Sequence, residues 1–246
     1  MRKKLIGRKI FLQADQDIFI ENSLDYNPAH VTNNKLNQFK LKKPIVHGIN
    51  ILLTSLEMCL SKKKIKLNYI NCNFIKPIHL NEKVKFYYYE NNKNEFSIEV
   101  ESKDEISAKI MISKPPKKIV KLRLSSLRVI KKTKKISKTN PIKFLNKTFK
   151  INFAKKIKFN QYPLVKKYYS EIFCDAMFTA SFFIGMICPG KNAIFSNLSL
   201  NLNKLEKNKK YLIFKVNKFD ARIDLFEINT KGFIEISLKS FFKKIK

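Results

Sequence analysis

A chain of 246 residues has length enough for one large core or two small ones, and 44% hydrophobic content with 21 Phe excludes wholesale disorder. The formal net charge of +32 suggests nucleic acid, but only five of the 51 basic residues are Arg, the fork-shaped side chain that base and phosphate readers favour. Lys, Asn, Ile and Phe together are what A/T-rich codons encode, so no nucleic-acid role is expected.

The basic start, Met1-Arg2-Lys3-Lys4, leads into Gly7-Arg8-Lys9 without an apolar signal region. The longest apolar run, Ala176 to Cys188, is too short to span a bilayer and contains Gly185. No membrane is expected, and the expected compartment is cytoplasmic. Cys59, Cys72, Cys174 and Cys188 are widely spaced and form neither a metal motif nor a disulfide framework.

In chain order, Asp15-Gln16-Asp17 opens a short helix with Ile18, Phe19 and Leu24 on its apolar side. Asp25-Tyr26-Asn27-Pro28-Ala29-His30 follows, and Pro28 forces a turn that can bring the Asp25 carboxylate and the His30 imidazole together. Seventeen residues after His30, His47-Gly48 opens an apolar helix over Ile49 to Leu60. Strands are predicted over Leu67–Ile78, Val84–Glu90, Glu95–Glu101 and Ile106–Ser113, with polar turns between them. From Lys114-Pro115-Pro116-Lys117 to about Lys150 the chain is rich in Lys, Ser and Thr and reads as a basic linker with room for short strands. No Asp or Glu occurs from Ile106 to Ser170, a surface suited to an acidic carrier protein or the phosphates of coenzyme A.

The second half repeats the plan. An apolar helix over Cys174 to Met186 precedes strands over Ala193–Leu202, Tyr211–Phe219, Arg222–Ile228 and Phe233–Phe241, with a turn at Asn229–Gly232. Helix followed by four strands, written twice, indicates a duplicated unit. A helix apolar nearly all round must be buried. The fold class is therefore α+β, two tandem hotdog units, each a curved antiparallel sheet wrapped around one buried helix. The expected divisions are 1–113, a basic linker at 114–150, and 151–246. The run Gly185 to Asn192 nearly spells a P-loop, but Asn192 stands where Ser or Thr is needed and a helix precedes it where a strand should, so Pro189-Gly190 reads as a helix stop.

A carboxylate and an imidazole can hold one water and move its protons in both directions. The N–H of Gly48, at the positive end of a helix, suits a thioester carbonyl on which enolate charge develops during addition of water. Together, Asp25-Tyr26-Asn27-Pro28-Ala29-His30 and Pro44-Ile45-Val46-His47-Gly48 resemble the hydratase motif of MaoC-like, (R)-specific enoyl-CoA hydratases and 3-hydroxyacyl dehydratases. The resemblance implies Asp25 and His30 as the catalytic pair, Gly48 as the carbonyl-binding N–H, and Asn27 as a supporting residue that orients the pair. His47 is expected as a further supporting residue, packing at the start of the helix rather than lining the pocket. The resemblance further implies no metal or redox cofactor, an acyl-CoA or acyl carrier protein substrate held by its pantetheine, and a monomer or homodimer. Two positions depart from the family: Leu24 stands where Gly usually precedes the Asp, and Ala29 replaces a larger aliphatic residue. The second half lacks the motif and any His, and is expected to complete the sheet and wall the acyl tunnel. The alternatives are a hotdog thioesterase and a non-catalytic acyl-thioester-binding protein.

Overall fold

The computed structural model describes residues 3–31, 43–63, 68–92, 95–114, 127–153, 160–191 and 193–242. In the first half, β1 (Lys4–Ile10) and α1 (Gln13–Ser23) precede α2 (Gly48–Lys62), followed by β2 (Tyr69–Phe74), β3 (Lys83–Asn92), β4 (Glu95–Ser102) and β5 (Glu105–Ser113). In the second, β6 (Leu127–Ile130), β7 (Thr148–Asn152) and α3 (Pro163–Tyr169) precede α4 (Glu171–Phe182), then β8 (Ala193–Asn201), β9 (Tyr211–Asp220), β10 (Leu225–Gly232) and β11 (Glu235–Phe242).

All strands form one sheet, in the order β1-β3-β4-β5-β2-β8-β11-β10-β9-β7-β6. Leaving out β6, the order reads the same from both edges, with β1 matching β7 and β2–β5 matching β8–β11. The centre of that pseudo-twofold is the antiparallel seam from Tyr69↔Asn201 to Asn73↔Asn197. β6 is added at one edge, parallel to β7. Its segment then turns back onto α4, where Lys132 pairs with Asp175 at 3.4 Å and the Ser137 N–H donates to the Met186 carbonyl.

Each half wraps one helix. Ile49, Leu52, Leu53 and Leu56 of α2, and Phe173, Phe178 and Phe182 of α4, are fully buried. Burying each such side chain contributes about 1.5–3 kcal/mol, which makes the two helices the anchors of the core. Past Phe182 the helix widens into a π-helical turn over Phe183–Ile187, and the chain leaves through Gly190 at φ +82°, a left-handed position that suits glycine.

The expected short helix, the two apolar helices and the two-unit plan match the structure. Leu67, part of Lys114–Lys117 and Asn192 lie outside the described residues. One strand is displaced: Arg222 lies in a turn, where it pairs with Asp220 at 2.6 Å, and β10 runs on through the predicted Asn229–Gly232 turn. The reason is Thr230. Its buried hydroxyl donates to the Ile234 carbonyl and accepts from the Ile236 N–H, so the reversal occurs three residues later. No helix among the described residues is long and apolar enough to cross a membrane.

Candidate functional site

Helix α1 ends at Leu24, which adopts φ 59°, ψ 27° and donates its N–H to the Ile20 carbonyl. The backbone is therefore left-handed at the position where the resembled family usually has Gly, and Leu carries it at a cost of roughly 1–2 kcal/mol. That conformation turns the chain so that Asp25 points inward. Asn27 then caps a 3-10 turn at Pro28–His30, its Oδ1 accepting the Ala29 N–H at 3.2 Å. Its Nδ2 donates to the Ala193 carbonyl at 3.2 Å, tying the loop to the second half.

Asp25 is 2% exposed. Its Oδ2 accepts the Ser181 hydroxyl at 2.7 Å and its Oδ1 accepts the Asn27 N–H at 3.2 Å. Burial pushes the carboxyl up to about 7, while these two hydrogen bonds pull the other way without prevailing. Gly185 packs directly on the carboxylate: a Cβ there would stand 1.9 Å from Asp25 Oδ1.

His30 donates through Nδ1 to the Ile45 carbonyl at 2.8 Å, which leaves the lone pair on Nε2. Burial pulls its pKa down to about 4, against the opposite pull of that hydrogen bond. Gln16, fully buried on α1, donates to the His30 carbonyl at 3.1 Å and to the same Ile45 carbonyl at 2.9 Å. His47, the N-cap residue of α2, donates through Nε2 to the Asp25 carbonyl at 3.2 Å and stacks on His30 with centroids 3.6 Å apart. Burial first, then the neighbouring His30, holds its pKa well below the ordinary value.

One side-chain atom each from Asp25, His30 and His47 lies within 4.8 Å of the others. A metal bonds an imidazole in the ring plane, and two rings stacked at 26° do not aim their in-plane lone pairs at one point. The separation does suit one water bridging a carboxyl and an imidazole.

Asp25, Asn27, His30 and Gly48 all line one cavity of about 230 Å³, whose other walls are mostly apolar. Gly48 is the first residue of α2, so its N–H has no intrahelical acceptor. The Phe74 ring lies against it, and a Cβ on Gly48 would meet that ring at 3.0 Å. Of the five residues expected from sequence, four line the cavity, and His47 backs the Asp25 loop. Ser181, Gly185 and Gln16 were not anticipated. Gly185 left a trace, since glycine inside an apolar helix pattern usually has a packing or functional reason.

Fold and site together define a double hotdog protein. Residues 5–110 match the family model of the MaoC like domain. A conserved Mycobacterium tuberculosis protein with a double hotdog fold aligns over 98% of this chain and 95% of its own, with TM-score 0.62 and 5% identity. A MaoC-like dehydratase aligns over 98% of both chains, with TM-score 0.61 and 9% identity. The full-length peroxisomal multifunctional enzyme type 2 from Drosophila melanogaster aligns over 97% of this chain and 48% of its own, with TM-score 0.52 and 10% identity. These likenesses are of fold. No curated protein matches the chain in sequence.

Proposed function

We propose that this protein adds water reversibly across the double bond of a trans-2-enoyl thioester, giving the (R)-3-hydroxyacyl product, with the configuration taken from the family resemblance. The observation that carries this reading is the meeting of a buried carboxyl, a neutral imidazole and a helix-start N–H in one apolar cavity. The pKa order puts the pair's one proton on Asp25 rather than on His30. In hydration, His30 Nε2 takes a proton from the bridging water as its oxygen bonds to Cβ. The π electrons move onto the thioester oxygen, where the Gly48 N–H stabilises the enolate more than the starting carbonyl. The enolate then collapses and Cα takes the Asp25 proton. Proton transfer from His30 to Asp25 restores the pair, and dehydration runs the same steps backwards. No step calls on a metal or redox cofactor, and coenzyme A or a carrier-protein pantetheine serves as the handle.

The test follows the enoyl-thioester ultraviolet absorbance beside a free-thiol assay, with an Asp25→Asn, His30→Ala double variant as control. Absorbance loss without thiol release, absent from the variant, is the expected result. Release of thiol would reassign the site to a hotdog thioesterase. No reaction with coenzyme A or carrier-bound substrates would leave an acyl-binding protein.

A further inference from the structure

The chain that returns from β6 ends against the residues that wall Asp25. On α4 the Lys132 ammonium meets the Asp175 carboxylate at 3.4 Å, with the two side chains 7% and 8% exposed. Further on, the Ser137 N–H donates to the Met186 carbonyl at 2.8 Å, one of the carbonyls that a helix end leaves over. Met186 is fully buried and joins two elements. Its sulfur accepts the Tyr26 N–H at 3.1 Å, one residue from Asp25, and its neighbour Gly185 packs on the Asp25 carboxylate. Between these contacts the Lys134 ammonium stands 5.4 Å from the centre of the Tyr26 ring, and Ile136 packs on the core. From this series of contacts, and resting on the hydratase reading for the role of Asp25, we infer that residues 131–137 are a strap that holds the turn at Gly185 and Met186 against Asp25, with Lys132 as the positioning residue that anchors it.

The wall that the strap holds is the one that keeps water from the carboxyl on the side of the second half. Gly185 and Met186 lie in the π-helical turn Phe183–Ile187, a winding found mostly as single turns at functional sites. If that turn moved outward, solvent would reach Asp25, and the burial that holds its carboxyl at about 7 would be relieved. A buried Lys–Asp pair suits an anchor better than it suits a source of stability, because desolvation offsets much of its attraction. Burial holds Lys132 below the usual lysine range, against the pull of Asp175. Part of the stretch expected as a basic linker thereby acquires a role at the site.

The experiment follows the Asp25 carboxyl by carbon-13 NMR against pH in the full chain, with Asp25→Asn assigning the signal. The double variant Lys132→Ala, Asp175→Ala removes both ends of the anchor and leaves neither charge buried alone. The Asp25 midpoint should fall by about one pH unit or more as water reaches the carboxyl, and kcat for enoyl-thioester hydration should fall about tenfold or more. His30 and His47, the titratable groups that face Asp25, are neutral across this range and do not move the midpoint. An unmoved or raised midpoint in folded protein would overturn the strap, since a pair that only stabilises would lower Tm and leave Asp25 where it is. Should the double variant not fold, Ser137→Pro deletes the N–H that meets Met186 and keeps the buried pair, with the same fall expected and the same results against it. The titration needs no substrate. A lowered midpoint beside a wild type that hydrates nothing would uphold the strap and overturn the hydratase reading, and hydration beside an unmoved midpoint would do the reverse.

Discussion

Replacing Asp25 with Asn should make the protein more stable at alkaline pH while removing its proposed acid. The carboxyl stands at about 7 against an ordinary 3.8, because the folded state buries it without a cation. Between those values the folded state holds a proton that the unfolded state has released. Its contribution to stability is therefore full below pH 3.8 and is lost as pH rises through about 7. A gap of about three pH units, at ~1.4 kcal/mol each, corresponds to about 4 kcal/mol of strain present at pH 8 and nearly absent at pH 4. The amide can keep the local contacts, with Oδ1 accepting the Asn27 N–H and Nδ2 donating to the Ser181 hydroxyl in place of the present bond. For a chain of this size each kcal/mol moves Tm by about 2–4 °C, so Asp25→Asn should melt roughly 8–16 °C above wild type at pH 8. The assay is thermal unfolding by circular dichroism at pH 4, 6 and 8, with no substrate needed. His30 is common to both proteins, so its opposite dependence, lost as pH falls from 6.5 to about 4, cancels to first order. A variant melting at or below wild type at pH 8, or a difference independent of pH, would refute the claim that Asp25 is held against its own charge.

Ser181→Ala removes a hydrogen bond to a charged group, worth about 1.5–3 kcal/mol, so Asp25 should titrate roughly one to two pH units higher. With Asp25 acting as the acid, the alkaline limb of the hydration pH–rate profile should move up with it, and an unmoved limb would exclude Ser181 from the site. Gly185→Ala drives a Cβ into the carboxylate, which is pinned by two hydrogen bonds and must shift by about an ångström. We expect kcat to fall about a hundredfold and stability to drop by roughly 1–3 kcal/mol, and an unchanged kcat would show that the carboxylate position is unimportant. Gln16→Leu leaves the buried His30 carbonyl without its donor, since the Ile45 carbonyl keeps His30 Nδ1. Denaturant titration should show a loss of roughly 1–3 kcal/mol, accompanied by a lower kcat as the His30 loop loosens.

What could be read from sequence was what lies close along the chain. The alternation of β3–β5 and the apolar runs of α2 and α4 are local patterns, and they match the structure within a few residues. Asp25 and His30 are five residues apart, and Gly48 stands at the start of a visible helix. Ser181 is another matter. It meets Asp25 across 156 residues, and a serine in an apolar helix reads as a small packing residue. Gln16 was equally opaque, because a polar residue near the start of an amphipathic helix is ordinarily solvated, whereas here it is fully buried against two carbonyls. The misplaced turn at Asn229–Gly232 has the same origin: Asn, Lys and Gly are turn chemistry, and the buried Thr230 hydroxyl overrides it through contacts that only the folded hairpin supplies.

The pseudo-twofold explains why one half carries the site and how the other is used. Across the seam each central helix reaches into the opposite half. From α4 Ser181, and from the turn after it Gly185, meet Asp25 in the loop after α1. From α2, Glu57 accepts the N–H groups of Leu164 and Val165 at 2.9 Å each, and Asn50 accepts the Tyr162 hydroxyl at 2.7 Å. The equivalent reach thus frames a buried acid on one side and caps α3 on the other. The start of α4 is no better suited to the chemistry. Glu171 stands at its first position, where Gly48 stands in α2, and a carboxylate there would oppose the enolate charge that a helix start otherwise favours. The helix start that would have to bind a thioester oxygen in the second half thus carries a negative charge. The second half instead serves the first, through one hydroxyl, one glycine and the carbonyl that holds Asn27.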